Sequence, residues 1–179
     1  MEKINVLFDE ARINTRVKEL ADTLYNLYHE EEVVFVCTLK GAVFFACDLL
    51  KNYKGDARIE FLRVSSYEGE SSTGKINLKL PLDAEKINGK NVVVVEDIVD
   101  TGFTLDYIRK YVSDMHPKSL IECTLLDKKS RRVVDIEPTY SGFVIDDLFV
   151  IGYGLDYDQK YRNLPYIGVV VKEWKIICK

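Results

Sequence analysis

The stretch Val92-Val93-Val94-Val95-Glu96-Asp97-Ile98-Val99-Asp100-Thr101-Gly102-Phe103-Thr104-Leu105 decides the fold. Four consecutive valines with no polar alternation read as a strand buried on both faces, as in a parallel sheet. The spacing then predicts a helix from Phe103 to Met115, with Leu105, Ile108 and Val112 on one face. Between them lie the carboxylates of Glu96, Asp97 and Asp100, with Thr101, Thr104 and Gly102. A strand passing through a short loop into a helix start presents free N–H groups and a favourable dipole to an anion. Neighbouring acids can accept from ribose hydroxyls, hold hydrated magnesium or take a proton from a substrate. The loop therefore suggests a sugar phosphate with magnesium. The plainer reading is that Asp100 or Thr101 only caps the helix. A single glycine without Gly-Lys-Ser/Thr does not make a Walker loop.

Working outward, Ala11 to Tyr28 has helical spacing of Ile13, Val17, Leu20, Ala21, Leu24 and Tyr28. Val33 to Thr38 reads as a strand, Ala42 to Asn52 as a helix and Arg58 to Val64 as a strand. Asn88-Gly89 is the turn before the buried strand, which is expected over Asn91 to Val95. Leu120 to Leu126, Gly142 to Ile145, Leu148 to Ile151 and Ile167 to Val171 are further strands. This order predicts an α/β fold: a mostly parallel twisted sheet with helices on both faces. Ligands of such sheets sit beyond the carboxyl ends of the strands, where each chemically unusual loop of this chain falls.

With 179 residues, one domain over 1–179 is expected. The net charge of −4 argues against a broad nucleic-acid footprint, so no nucleic-acid partner is expected. The four cysteines include no Cys-x-x-Cys and the two histidines are isolated, which disfavours zinc. Cys37 and Cys123 lie in apolar runs and should be buried thiols. No signal-like start or apolar run of transmembrane length stands out, so the expectation is a reduced, cytoplasmic chain with no membrane partner.

The pattern of apolar strand, Glu96-Asp97, two apolar residues and Asp100-Thr101-Gly102-x-Thr104 resembles the phosphoribosyl pyrophosphate motif of the type I phosphoribosyltransferases. Four other segments fit the 6-oxopurine members, in the family's order. Thr38-Leu39-Lys40-Gly41 resembles the pyrophosphate loop; the resemblance implies backbone contacts at Lys40 and Gly41 and a cis peptide between them. Ser66-Tyr67, opening a Gly/Ser-rich stretch to Lys75, resembles the lid that keeps water from the reaction centre. Lys128 falls where purine-specific members direct an ammonium, which only donates, at the 6-oxo group. In Phe149-Val150 the aromatic would stack on the purine and the valine backbone would meet its edge. Asp156 matches a second magnesium acid, and Arg162 an arginine on pyrophosphate.

The resemblance, covering about Val33 to Val171, implies purine salvage. A 6-oxopurine and phosphoribosyl pyrophosphate would react to give IMP or GMP and pyrophosphate. Thr101, Gly102, Phe103 and Thr104 would cradle the 5′-phosphate, and Phe103 replaces a residue that is often smaller or more polar. Asp100 would face purine N7 as the catalytic acid–base. Glu96, Asp97 and Asp156 would serve magnesium, the expected cofactor. A small hood lobe from the N-terminal segment and C-terminal region is also implied, as is a homodimer or homotetramer. The alternatives are a related transferase accepting xanthine or a pyrimidine, and a nucleotide-sensing regulator on the same fold. A regulator should carry a basic face, an added module or broken loops, and this acidic chain has none of these.

Overall fold

A computed structural model of the chain describes residues 3–66 and 76–171. In chain order the elements are β1 (Lys3–Phe8), α1 (Glu10–Tyr28), β2 (Val33–Thr38), α2 (Val43–Asn52), β3 (Ala57–Ser66) and β4 (Ile76–Leu80). They continue with β5 (Asn91–Val99), α3 (Phe103–Ser113), β6 (Ser119–Asp127), β7 (Tyr140–Val144), β8 (Val150–Ile151) and β9 (Ile167–Val171). The main sheet has the order β4-β3-β2-β5-β6-β7. Only the edge strand β4 runs antiparallel to its neighbour; the other pairs are parallel. A separate antiparallel sheet has the order β1-β9-β8.

The period-two alternation of a strand explains why the valine run can be apolar throughout. Odd positions of the central strands (Val33, Phe35, Cys37, Val93, Val95) pack with α1 and α2. Even positions (Val34, Val36, Val92, Val94) pack with Ile108 and Val112 of α3 on the other face. Helix α1 is fixed by Asp9, whose Oδ1 accepts from the Arg12 N–H at 2.8 Å, an ordinary N-cap. Val150, Tyr153, Leu155 and Ile167 join the core that α1 and α2 cover, so the small sheet shares one core with the large one. The rings of Phe8 and Phe143 stack across the two sheets with centroids 4.1 Å apart.

The structure departs from the expected elements in three ways. Strand β5 runs on to Val99, because Glu96 pairs with Thr124 and Ile98 with Leu126 of β6. Glu96 and Asp97 are thus strand residues and not loop residues. Strands β1 and β4 were not expected; β4 pairs only at the sheet edge and β1 lies outside the main sheet. The strand expected from Leu148 begins at Val150, since residues 146–148 form a turn closed by the Leu148 N–H on the Asp146 carbonyl at 2.7 Å.

Candidate active site

Strands β2 and β5 are neighbours, but their crossovers leave in opposite directions, through α2 to β3 and through α3 to β6. The gap beyond their carboxyl ends is the topological switch point, where ligands of such sheets bind. The 38–41 turn and the Glu96-Asp97 pair meet there. Gly41 lies so close to Asp97 that a Cβ on it would stand 1.7 Å from Asp97 Oδ2. The cis peptide of this turn joins Leu39 to Lys40, one bond earlier than the resemblance implied.

Glu96 is buried and lies beside the Thr38 hydroxyl, whose Oγ1 is 2.8 Å from Glu96 Oε2 and 2.9 Å from the Val95 carbonyl oxygen. Its other oxygen, Oε1, has no hydrogen-bond partner. Burial first, and the adjacent Asp97 charge second, push the Glu96 carboxyl well above the usual carboxylate range. Burial also raises Asp97, against the N–H groups of Asp97 and Ile98 and the more distant Arg162 charge. A single cleft is lined by Thr38, Leu39, Lys40, Gly41, Val64, Ser65, Glu96, Asp97, Thr104, Asp156 and Arg162. A smaller hollow beside it is lined by Glu96, Ile98, Val99, Asp100, Thr101, Gly102, Thr104 and Leu105.

The N-cap of α3 is Gly102, at φ 92°, with no side-chain cap bond. Asp100 and Thr101 therefore do not cap the helix, and the plain reading of them fails. Gly102 is required twice over: its φ is left-handed, and a Cβ there would meet Ile136 Cγ2 at 2.8 Å. Instead of capping, Asp100 faces cations. Arg131 Nε donates to its Oδ1 at 3.1 Å, and Lys128 Nζ is 4.0 Å from its Oδ2. Lys128 is buried rather than solvated, and its ammonium also lies 3.7 Å from Asp147 Oδ1. The rest of the basic run is structural in part, because Arg132 pairs with buried Asp127 and donates to the Asp100 carbonyl.

Across the cleft, Asp156 Oδ1 is paired with Arg162 Nη2 at 2.6 Å, and Asp156 Oδ2 accepts from the Gln159 N–H at 2.8 Å. Gln159 Oε1 in turn accepts from Lys40 Nζ at 3.0 Å. Phe149 and Val150, consecutive in sequence, part company. Val150 is buried in β8, whereas Phe149 is 57% exposed, with only the edge of Tyr157 against it at 5.5 Å between centroids. An exposed aromatic ring is available to stack on a ligand.

The fold thus gathers Lys40, Gly41, Glu96, Asp97, Thr104, Asp156 and Arg162 in one cleft, with Asp100, Thr101 and Gly102 in the adjoining hollow. Phe103 is the first helical residue of α3. Lys128 joins the group through Asp100, and Phe149 stands two residues beyond Asp147. Tyr67 lies outside the described residues, as does the Ser66 side chain, so the lid expectation does too. Sequence reasoning missed Thr38, Arg131, Asp147 and Gln159. Thr38 was visible as a polar residue ending an apolar strand; the others carry no local signal.

With this geometry in hand, comparison with known proteins gives one answer. Residues 5–158 match the phosphoribosyl transferase domain. The chain belongs to the phosphoribosyltransferase family. It is 43% identical over 171 residues to the hypoxanthine phosphoribosyltransferase of Salmonella typhimurium, covering 94% of this chain and 96% of that one. It is 41% identical over 169 residues to the hypoxanthine-guanine phosphoribosyltransferase of Streptococcus thermophilus, with 94% and 93% covered. A crystal structure of a hypoxanthine-guanine phosphoribosyltransferase from Bacillus anthracis superposes with a TM-score of 0.89 at 44% identity, covering 96% of this chain and 99% of that one. The α/β fold with a mostly parallel sheet is thus the fold of this family.

Proposed function

We propose that this enzyme joins hypoxanthine, and also guanine, to 5-phosphoribosyl 1-pyrophosphate, giving IMP or GMP and pyrophosphate. The observation that carries the reading is the cleft at the switch point. It holds Glu96 and Asp97 at the end of β5, and Lys40, Gly41 and Arg162 opposite. The α3 N-terminus and its hollow adjoin it, and buried Lys128 stands beside Asp100. This arrangement offers separate places for a 5′-phosphate, a ribose, a pyrophosphate and a base that presents an acceptor.

The C1′–oxygen bond to pyrophosphate breaks and a bond from purine N9 to C1′ forms. Residues Thr101, Gly102, Phe103 and Thr104 bind the 5′-phosphate through free N–H groups and hydroxyls at the α3 start. Asp100 faces N7 and manages its proton. Lys128 donates to the 6-oxo group, Phe149 stacks on the ring, and Val150 offers backbone to the purine edge. Lys40, Gly41 and Arg162 bind the leaving pyrophosphate. For Arg162 this means exchanging the Asp156 carboxylate for phosphate oxygens. Positioning and fixed charge carry the chemistry, since the sugar develops positive charge before attack.

The donor set suits magnesium. Glu96 Oε1 is buried without a partner, and two adjacent buried carboxyls share one charge-poor site. Glu96 and Asp97 would hold the ion by the ribose hydroxyls, and Asp156 a second one through water. When bound, the metal neutralises charge on the pyrophosphate.

Among the described residues no helix is long and apolar enough to cross a membrane. We place the enzyme in the cytoplasm, as a homodimer or homotetramer whose hood is the β1-β9-β8 sheet. None of the candidate loops is broken, so nothing favours the regulator alternative. A pyrophosphate-release assay with hypoxanthine, guanine, xanthine, adenine and uracil, phosphoribosyl pyrophosphate and magnesium tests the reading. Turnover of hypoxanthine and guanine is expected. Release with xanthine or uracil alone, or with no base, would overturn it.

A further inference from the structure

Three consecutive residues, Gly152, Tyr153 and Gly154, all have positive φ, of 93°, 48° and 99°. Glycine adopts this region freely; a tyrosine rarely does, and persists there only where its surroundings hold it. Tyr153 is buried, and its hydroxyl donates to Asp48 Oδ2 on α2 at 2.8 Å. The other Asp48 oxygen, Oδ1, accepts from Lys51 at 3.0 Å, so the acceptor is a fixed carboxylate.

The turn that Tyr153 anchors touches the pyrophosphate half of the site from both sides. The Gly154 carbonyl accepts from Arg162 Nη1 at 2.6 Å, and the Gly154 N–H donates to the Arg162 carbonyl at 2.9 Å. On its other side Gly154 lies against the Gly41 carbonyl, so closely that a Cβ would stand 2.0 Å from that oxygen. Helix α2 begins two residues after Gly41. One side-chain hydrogen bond thus ties the element that carries Arg162 to the element that follows the Lys40–Gly41 turn.

We propose that Tyr153 is a positioning residue: its hydrogen bond to Asp48 locks the Gly152–Gly154 turn on α2 and so sets Arg162 at a fixed distance from the Lys40–Gly41 loop. This rests on the reading of that cleft as the pyrophosphate site. Burial and the neighbouring Asp48 carboxylate both raise the Tyr153 phenol, which therefore remains a donor throughout the working pH range. A hydrogen bond to a charged acceptor is strong enough to hold one backbone arrangement among several.

Tyr153→Phe keeps the ring and its packing and removes only the donor. Misplacement of a binding group by a fraction of an ångström to an ångström costs about 10- to 100-fold in function. We expect the KM for phosphoribosyl pyrophosphate, and the calorimetric Kd for pyrophosphate with magnesium, to rise by roughly 10-fold. The KM for hypoxanthine should stay within about twofold, because the base pocket is untouched, and kcat should fall less than the KM rises. Asp48→Ala should reproduce the effect, Asp48→Asn, which retains an acceptor, should rescue most of it, and the Tyr153→Phe/Asp48→Ala pair should be no worse than either alone. A merely structural role would lower Tm in Tyr153→Phe while leaving the pyrophosphate Kd and both KM values unchanged, and that result overturns the proposal. A wild type that binds pyrophosphate but turns over no 6-oxopurine would sink the function and leave the clamp to be judged by Kd. A wild type that binds no pyrophosphate would sink both.

Discussion

Lys128 Nζ stands 4.0 Å from Asp100 Oδ2, so the cation assigned to the purine 6-oxo group and the acid assigned to N7 face each other across one pocket. On a 6-oxopurine those two atoms are neighbours on the same edge. One ring can therefore engage both side chains at once, and each is a separate handle on the reaction.

Asp100→Asn keeps the shape and removes the base. Since Gly102 and not Asp100 is the N-cap of α3, the helix should be unaffected. General acid–base catalysis contributes about 10²–10⁴-fold, so kcat should fall by that order with substrate binding largely retained. Steady-state kinetics with hypoxanthine decides; a kcat near the wild-type value would leave Asp100 without a catalytic role.

Lys128 should set discrimination against adenine. Its ammonium can only donate, and adenine presents an amino group where hypoxanthine presents oxygen. In a buried pocket such a mismatch is rejected by roughly 10⁴-fold or more. The wild type should show no useful adenine turnover. In Lys128→Gln, whose amide oxygen can meet an amino group, 6-oxopurine activity should drop and the gap should narrow. The comparison of kcat/KM for hypoxanthine, guanine and adenine in both proteins goes against this assignment if the ratio does not move.

Gly41→Ala places a methyl where Asp97 Oδ2 now sits, 1.7 Å from it. The carboxylate can rotate away, so the chain should still fold, with a Tm within a few degrees of wild type. Moving Asp97 by about 1 Å should reduce kcat/KM by around 10²-fold. Magnesium dependence measured alongside should show a higher half-saturating concentration. Unimpaired activity would mean that the position of Asp97 does not matter to the reaction.

The cysteines should divide by burial. Cys37 and Cys123 are buried, and burial pushes each thiol up to about 12. At pH 8 only about one molecule in 10⁴ would carry the thiolate at either site, and the thiolate is the reactive form. Cys47 is exposed. Iodoacetamide at pH 8 followed by peptide mapping should label Cys47 quickly, and label Cys37 and Cys123 only after unfolding. Labelling should speed up as pH rises. Equal labelling of the three in the folded protein would contradict the burial described.

The sequence by itself determined the parallel sheet and its two helical faces, because a run such as Val92 to Val95 has no polar side to turn to water. It also determined the chemistry available, since Glu96-Asp97, Asp100, Lys128 and Arg162 follow strand-like or loop signals that can be read in place. Even the boundaries of β2 and β9 were legible, each a short apolar run with polar flanks. What only the tertiary structure decided involved partners distant in sequence. Strand β5 continues through two acids because β6 supplies hydrogen bonds to it, and pairing outweighs the weak strand preference of Glu and Asp. Lys128 is buried because Asp100 and Asp147 arrive beside it from two other segments. Phe149 and Val150 look alike in sequence, yet the period-two reversal at the start of β8 sends one to solvent and the other to the core. Tyr153 meets Asp48 across 105 residues. Local sequence specifies torsion preferences and the polarity of a face, whereas a hydrogen bond between segments far apart depends on where the whole chain has placed them.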